Sequence, residues 1–340
     1  MRAAYYEGQR RIRVGACSPV DPAAGQVQLQ VSHCGICGTD IHVFHGAMDH
    51  RLHPPQVIGH EMSGTVTAVG ENVEGFAPGD PVTVRPLDPC GKCPACRAGH
   101  SHICQRLKFI GIDAPGALQA RWTVPAHTLH RLPPSLPLRR AALVEPLSVA
   151  CHDVRLAGIQ SGEYVVVQGG GPIGVLIACV ARDAGARVII AEVNSYRLAL
   201  AQELGFEACN PKEVDLAEVV VAQTNGAGAD AVFEVSGSAA GAESMTQLAR
   251  TRGRIVIVAI FAEAPKVNLF QFFWRELRLL GARVYEPQDF ERAIELAASG
   301  RLPLDRLVTE ECPLDGVDGA LRRLEAGGDV MKVLIRCSED

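Results

Sequence analysis

Four cysteines at fixed spacing are the first residues of this chain that could do chemistry. Cys90, Cys93, Cys96 and Cys104 run as C-x2-C-x2-C-x7-C through a loop rich in proline and glycine. Four thiolates so spaced can close a tetrahedral zinc site that keeps no open position for a substrate. The competing reading is a ferredoxin-type cluster, whose bacterial run ends C-x3-C-P. Here the last gap is seven residues, and Gln105 rather than proline follows. A zinc ribbon for nucleic acid is a further alternative, disfavoured by the acidic balance and the single cluster. The expectation is a structural zinc.

A second motif points to a nucleotide. The β-branched run Tyr164-Val165-Val166-Val167-Gln168 leads into Gly169-x-Gly171-x-x-Gly174, and Pro172-Ile173 sits inside the turn before a helix-like stretch. Strand, tight turn and helix in that order make a pyrophosphate site. The first glycine permits the turn, the second lets the backbone approach the ligand, and the third lets helix pack on strand. The next apolar run, Arg187–Ala191, ends at Glu192, about where an acid holds an adenosine ribose. Glu192 would repel a 2′-phosphate, so NAD is the expected cofactor; Arg197 is expected to pair with Glu192 or to lie along the adenosine.

Cys34 and Cys37 form a CxxC, but no βαβ pattern surrounds them and no second pair lies close, which argues against a thioredoxin-like role. Thr39 or Asp40 could cap a helix starting here, and a thiol near a helix N-terminus has its thiolate favoured. A histidine-rich loop follows (His42, His45, His50, His53), in which most side chains have ordinary solvated or structural roles. His60 stands apart by its setting, between the turn Val57-Ile58-Gly59 and the strand pattern from Ser63 to Val69.

The elements that must position these residues fall into two halves. Alternating apolar and polar residues up to Pro125, punctuated by glycine, predict short strands in a small barrel-like domain. After a helical stretch from Ala141 to His152, buried-strand and helix patterns alternate: strands 164–168, 187–191, 230–234 and 254–258, helices 172–184, 195–204 and 241–250. From Tyr285 the pattern holds one helix, Pro287–Ser299, and short elements with no second core, so this part should return to the first domain. The expected domains are 1–145 completed by 285–340, and 146–284.

With 340 residues, 47% hydrophobic and 5% aromatic, the chain has material for two cores. A net charge of −5 and no Lys/Arg cluster leave no footprint for nucleic acid. No apolar run is long enough to span a membrane. The first residues lack the apolar centre of a signal peptide, and the 12 cysteines suggest metal ligands before disulfides, so cytoplasm is the expected compartment.

Together these residues resemble the zinc-containing medium-chain alcohol and polyol dehydrogenases over nearly the whole chain. The resemblance rests on Cys37-Gly38-Thr39-Asp40-x-His42, Gly59-His60-Glu61, the four-cysteine lobe, Glu145-Pro146-Leu147, and the glycine turn with Glu192. It implies an α/β protein: a GroES-like β-rich catalytic domain and a Rossmann domain with a doubly wound parallel sheet. It also implies two zinc ions per chain, a homo-oligomer (dimer or tetramer), and a catalytic zinc held by Cys37, His60 and Glu61. Glu145 falls where the sorbitol dehydrogenase branch has a glutamate, and binds zinc directly or through water. Thr39 fits the family's hydroxyl relay, with His42 passing the proton to solvent.

Zinc with an open position lowers the pKa of an alcohol oxygen, and the alkoxide can release hydride to NAD. The expected substrate is a secondary alcohol within a polyol or sugar-derived chain, met by Glu145, His45 and Tyr285. Sugar acids, 2,3-butanediol and threonine are alternatives. Where sorbitol dehydrogenases carry an Arg-Tyr pair, this chain has Val284-Tyr285 with Arg283 one place earlier. Arg283 either clamps a carboxylate or is a surface or subunit-contact residue. The rivals are a metal-free reductase on the same fold and a nucleotide-binding relative without turnover.

Overall fold

The computed structural model describes residues 1–338. The chain divides into two compact units, one of Met1–Glu145 with Glu286–Asp340 and one of Pro146–Tyr285.

The first unit is organised on the long strand Gln26–Gly35, whose inward residues Val27, Leu29, Val31 and Cys34 are fully buried. Val27, Leu29 and Val31 alternate as one face of a strand does, and a register shift between Val31 and His33 brings Cys34 inward. Along one edge it pairs antiparallel with Glu61–Val69. On the other edge its first half pairs with Arg121–Pro125 and its end with the C-terminal strand Lys332–Arg336. A seven-stranded sheet results, continued by Pro81–Val84 and Leu129–Arg131 on one side and by Val308–Pro313 on the other. A three-stranded sheet of Ile12–Ala16, Arg2–Tyr6 and Gln56–Val57 completes the β-rich body.

The second unit holds a six-stranded, all-parallel sheet in the order Glu207–Cys209, Arg187–Ala191, Tyr164–Gln168, Ala229–Glu234, Ala249–Ile257, Arg278–Gly281. Numbered along the chain this is 3-2-1-4-5-6, the doubly wound order, whose ligand crevice lies at the carboxyl ends where the order reverses. Tyr164–Gln168, the central strand, is buried throughout, as its β-branched run dictates.

Several elements differ from the sequence expectation, among them the helices Leu269–Arg275 and Val317–Ala326, which were not expected. The strand Glu207–Cys209 and the helix Leu216–Gln223 carry no strong periodic signal: one is three residues long, the other apolar on most sides. The helix expected to reach residue 250 ends at Leu248, and the next strand starts at Ala249. Its polar opening, Arg250 to Gly253, is carried over a register shift in which Arg252 takes a φ of 61°. Among the described residues no helix is long and apolar enough to cross a membrane.

Candidate active site and metal centres

Within the first unit, the strand ends and one short helix bring three metal-type donors together. Cys37 is the N-cap of the helix Gly38–Phe44. Thr39 and Asp40 were the expected caps; both lie inside the helix, and the Asp40 carboxylate instead reaches back to accept the Cys37 N–H at 2.9 Å. His60 and Glu61 sit where the chain enters the strand Glu61–Val69, and both are buried. Donor atoms of Cys37, His60 and Glu61 all lie within 4.8 Å of one another.

Asp40, itself buried, places Oδ1 3.6 Å from His60 Nδ1. At that distance the two are an ion-pair contact rather than a hydrogen bond, and neither atom has a hydrogen-bond partner. Burial alone would lower the His60 pKa, but Asp40 first, then Cys37 and Glu145, push it up to about 10. The imidazole thus faces three acidic side chains. Glu145 is buried in the first turn of the helix Val144–Ala157, close enough to act on His60 but outside the three-donor cluster.

The four-cysteine lobe forms a second cluster with all four sulfurs mutually within 4.8 Å. Individual Sγ–Sγ separations are 3.5 Å for Cys93–Cys96, 3.7 Å for Cys93–Cys104 and 3.5 Å for Cys104–Cys90. Zinc–sulfur bonds of about 2.3 Å put tetrahedral sulfurs about 3.8 Å apart, so the lobe has nearly the size the ion demands. Backbone N–H groups of Cys90 and Arg106 both point at Cys104 Sγ at 3.3 Å. The Lys92 N–H draws the Cys90 thiol down to about 6, whereas burial and the neighbouring thiols push Cys96 up to about 12. Packed this tightly, the four thiols cannot all ionise without a cation among them.

In the second unit the glycine turn has the geometry its motif requires. Gly169 takes a φ of 106°, and a Cβ on Gly174 would lie 1.8 Å from the Gly169 carbonyl oxygen, so helix and turn meet with no space for a side chain. Gly171 caps the helix Pro172–Asp183, with Pro172 in its first turn. A cavity of about 960 Å³ lies beside the turn, lined by Gly169, Gly171, Glu192, Arg197, Ser236 and Ser244 among others. Its volume is at the upper end of cofactor-sized pockets.

Glu192, buried, accepts the Gly170 N–H at 2.7 Å on one oxygen and those of Val193 and Asn194 at 2.7 and 2.8 Å on the other. With three acceptor positions filled by backbone, it makes no ion pair with Arg197, contrary to one sequence expectation. Arg197 is tied through its own N–H to Asn194 Oδ1, and its guanidinium approaches Gly171.

The remaining sequence candidates are dispersed. Thr39 is half-buried and His42 exposed, three residues apart on one helix face. His45 is paired with Glu325, which also binds Arg10. Arg283 is exposed; Tyr285 is fully buried, so its phenol is not open to a ligand. Two residues at the first site escaped the sequence reading, Asp40 as partner of His60 and Lys332 as partner of Glu61. The signal for Lys332 was one charge inside the apolar run from Val330 to Ile335.

A β-rich unit with paired metal-type clusters and a doubly wound unit with a dinucleotide turn define a class of oxidoreductase. Residues 23–134 match the alcohol dehydrogenase GroES-like domain family and residues 172–299 the zinc-binding dehydrogenase family. The chain belongs to the zinc-containing medium-chain alcohol and polyol dehydrogenases, and is a dehydrogenase. It is 52% identical over 340 residues, covering 100% of both chains, to 2-dehydro-3-deoxy-L-galactonate 5-dehydrogenase of Pseudoalteromonas atlantica. Sorbitol dehydrogenase of Halalkalibacterium halodurans is 35% identical, with 92% of each chain covered. A solved structure described as a zinc-binding dehydrogenase from Sinorhizobium meliloti, bound to NADP, superposes with a TM-score of 0.93 at 33% identity over 98% of each chain.

Proposed function

We propose that this chain oxidises a secondary hydroxyl of a sugar acid to a ketone with NAD, at a zinc held by Cys37, His60 and Glu61. The observation that carries the reading is the convergence of those three buried or half-buried donors on one point. Full-length similarity to a dehydrogenase of a 2-dehydro-3-deoxy sugar acid supports the substrate class over a neutral polyol. Glu145, outside the cluster, would act through water. A second zinc in the four-cysteine lobe would be structural. The two compact units support a division into a zinc-binding catalytic domain, 1–145 completed by 285–340, and a dinucleotide domain, 146–284.

When bound, the zinc supplies Lewis acidity to an alcohol oxygen and the nicotinamide supplies an acceptor for hydride. Everything else falls to the chain's own residues. Asp40 faces the His60 ring and would orient it through a hydrogen bond that closes when a metal is bound. The Thr39 hydroxyl would accept the alcohol proton while giving up its own, and exposed His42, three residues on, would carry that proton to solvent. Gly169, Gly171, Pro172, Ile173 and Gly174 shape the turn that receives the pyrophosphate, and Glu192 offers its remaining acceptor position to a ribose hydroxyl. Arg283, exposed, is the candidate to meet a substrate carboxylate.

A second copy of the chain is the proposed partner. The helix Leu269–Arg275 exposes Leu269, Phe270, Phe273 and Trp274 by 59 to 77% beside the edge strand Arg278–Gly281. So much apolar surface next to an open strand edge suits a subunit contact. Five of the 12 cysteines fall in the two metal-type clusters, a use of thiols that suits a reducing, cytoplasmic setting.

The test is a substrate panel with NAD and NADP: 2-dehydro-3-deoxy-L-galactonate, L-galactonate, sorbitol, 2,3-butanediol and L-threonine. Sugar acids should lead by at least tenfold in kcat/KM, and Arg283→Ala should shrink that lead. A clear preference for 2,3-butanediol, threonine or sorbitol would overturn the sugar-acid assignment.

A further inference from the structure

Lys332 is the only buried lysine among the described residues, 3% exposed at the start of a strand that continues Val333-Leu334-Ile335. Its position follows from the sheet. The central strand ends at Gly35, which pairs with Glu61 on one side and with Leu334 on the other. Gly35 has no side chain to separate its neighbours: a Cβ there would lie 2.2 Å from Glu61 Oε2 and 3.2 Å from Lys332 Cε. Over that gap Lys332 Nζ donates to Glu61 Oε1 at 2.6 Å and to the Ile36 carbonyl at 2.9 Å, and also contacts Glu61 Oε2. Both oxygens of one proposed metal ligand are therefore engaged by an ammonium group.

We propose that Lys332 is a positioning residue that shares Glu61 with the catalytic metal, keeping the carboxylate in place when the site is empty and competing for it when the site is filled. The inference rests on the reading that Cys37, His60 and Glu61 hold a metal. Two cations on one carboxylate repel each other, and in a buried site that repulsion is weakly screened. Removing the ammonium without changing the side-chain volume therefore has opposite effects on the two forms of the protein. Zinc gains undivided use of Glu61 and loses a repelling neighbour. The empty site loses the partner of a buried carboxylate, a change that destabilises strongly.

The decisive variant is Lys332→Met, compared with the parent as zinc-loaded, full-length protein. Zinc release to a chelator should slow by about tenfold or more for the catalytic ion. Thermal stability should fall further in zinc-stripped than in zinc-loaded protein. A lysine that merely fills space would give the reverse: looser packing, faster zinc loss and equal loss of stability in both forms. That result would overturn the proposal. If Lys332→Met fails to fold, the double variant Lys332→Met/Glu61→Gln removes both charges and should restore folding; failure of the double variant to recover would also count against the pairing. Cys37→Ser protein that keeps the parent's zinc content would instead remove the metal reading, and the proposal with it.

Discussion

Glu192 offers a prediction whose size can be worked from the structure. Its carboxylate has about four acceptor positions. Three are filled by the N–H groups of Gly170, Val193 and Asn194 at 2.7 to 2.8 Å. The residue thus ties the glycine turn to the end of the neighbouring strand, and one position remains for a ribose hydroxyl. Hydrogen bonds to a charged group contribute roughly 1.5–3 kcal/mol each. Glu192→Ala strands three donors; water entering the vacated space restores part of the loss, leaving a net cost of about 3 kcal/mol. Glu192→Gln keeps one oxygen for Val193 and Asn194 but turns an amide N–H toward Gly170, at a cost of about 2 kcal/mol. Urea unfolding should rank parent, Gln and Ala in that order. Removing the charge also removes repulsion of a 2′-phosphate, so kcat/KM with NADP relative to NAD should rise about 10- to 100-fold in Glu192→Ala, or roughly 1.4–2.7 kcal/mol. Unchanged stability in both variants would refute the tie to the turn, and an unchanged cofactor ratio would refute the charge argument.

The other predictions concern metal, acid stability and assembly. Parent protein should carry two zinc ions per chain by atomic absorption; Cys37→Ser should keep one, stay folded and lose turnover. Cys93→Ser should lower the melting temperature, since closed thiolate sites contribute roughly 10–16 kcal/mol in small zinc peptides and part of that in a larger domain. One zinc per chain in fully active parent protein would contradict both statements. His130 packs its ring 4.7 Å from that of Phe290, and burial, then the charge of Arg85, lowers its pKa from 6.5 to about 4. The unfolded chain takes up that proton first, so the associated stability is present above about pH 6.5 and falls away toward pH 4, by up to about 3 kcal/mol. An equally steep acid loss in His130→Asn would assign the effect elsewhere. Trp274→Ser with Phe273→Ser should reduce the sedimenting species to monomer at micromolar concentration, whereas an unchanged mass would place the subunit contact on another face.

What the sequence determined by itself was whatever is local. Four thiols within a 15-residue span announce a metal lobe wherever they fold, and a β-branched run broken by Gly169, Gly171 and Gly174 is already a strand, a turn and a helix start. Alternating strand and helix periods were enough for an α/β unit, and the ordered motifs, through the family they resemble, for the doubly wound sheet and the dehydrogenase class. Short or polar elements, such as Glu207–Cys209 and the opening of Ala249–Ile257, left no periodic trace because their pairing comes from neighbouring strands. Only the tertiary structure decided which charges face one another. Lys332 and Glu61 are 271 residues apart, and strand register on either side of a glycine, not any spacing in the chain, brings them into contact. Arg197 stands five residues from Glu192, in the first turn of the following helix, yet the pair does not form, because the backbone N–H groups of Gly170, Val193 and Asn194 reach the carboxylate first. Residue types state what chemistry is available; the competition among partners that determines which contacts form is settled only once the backbone has placed its own donors.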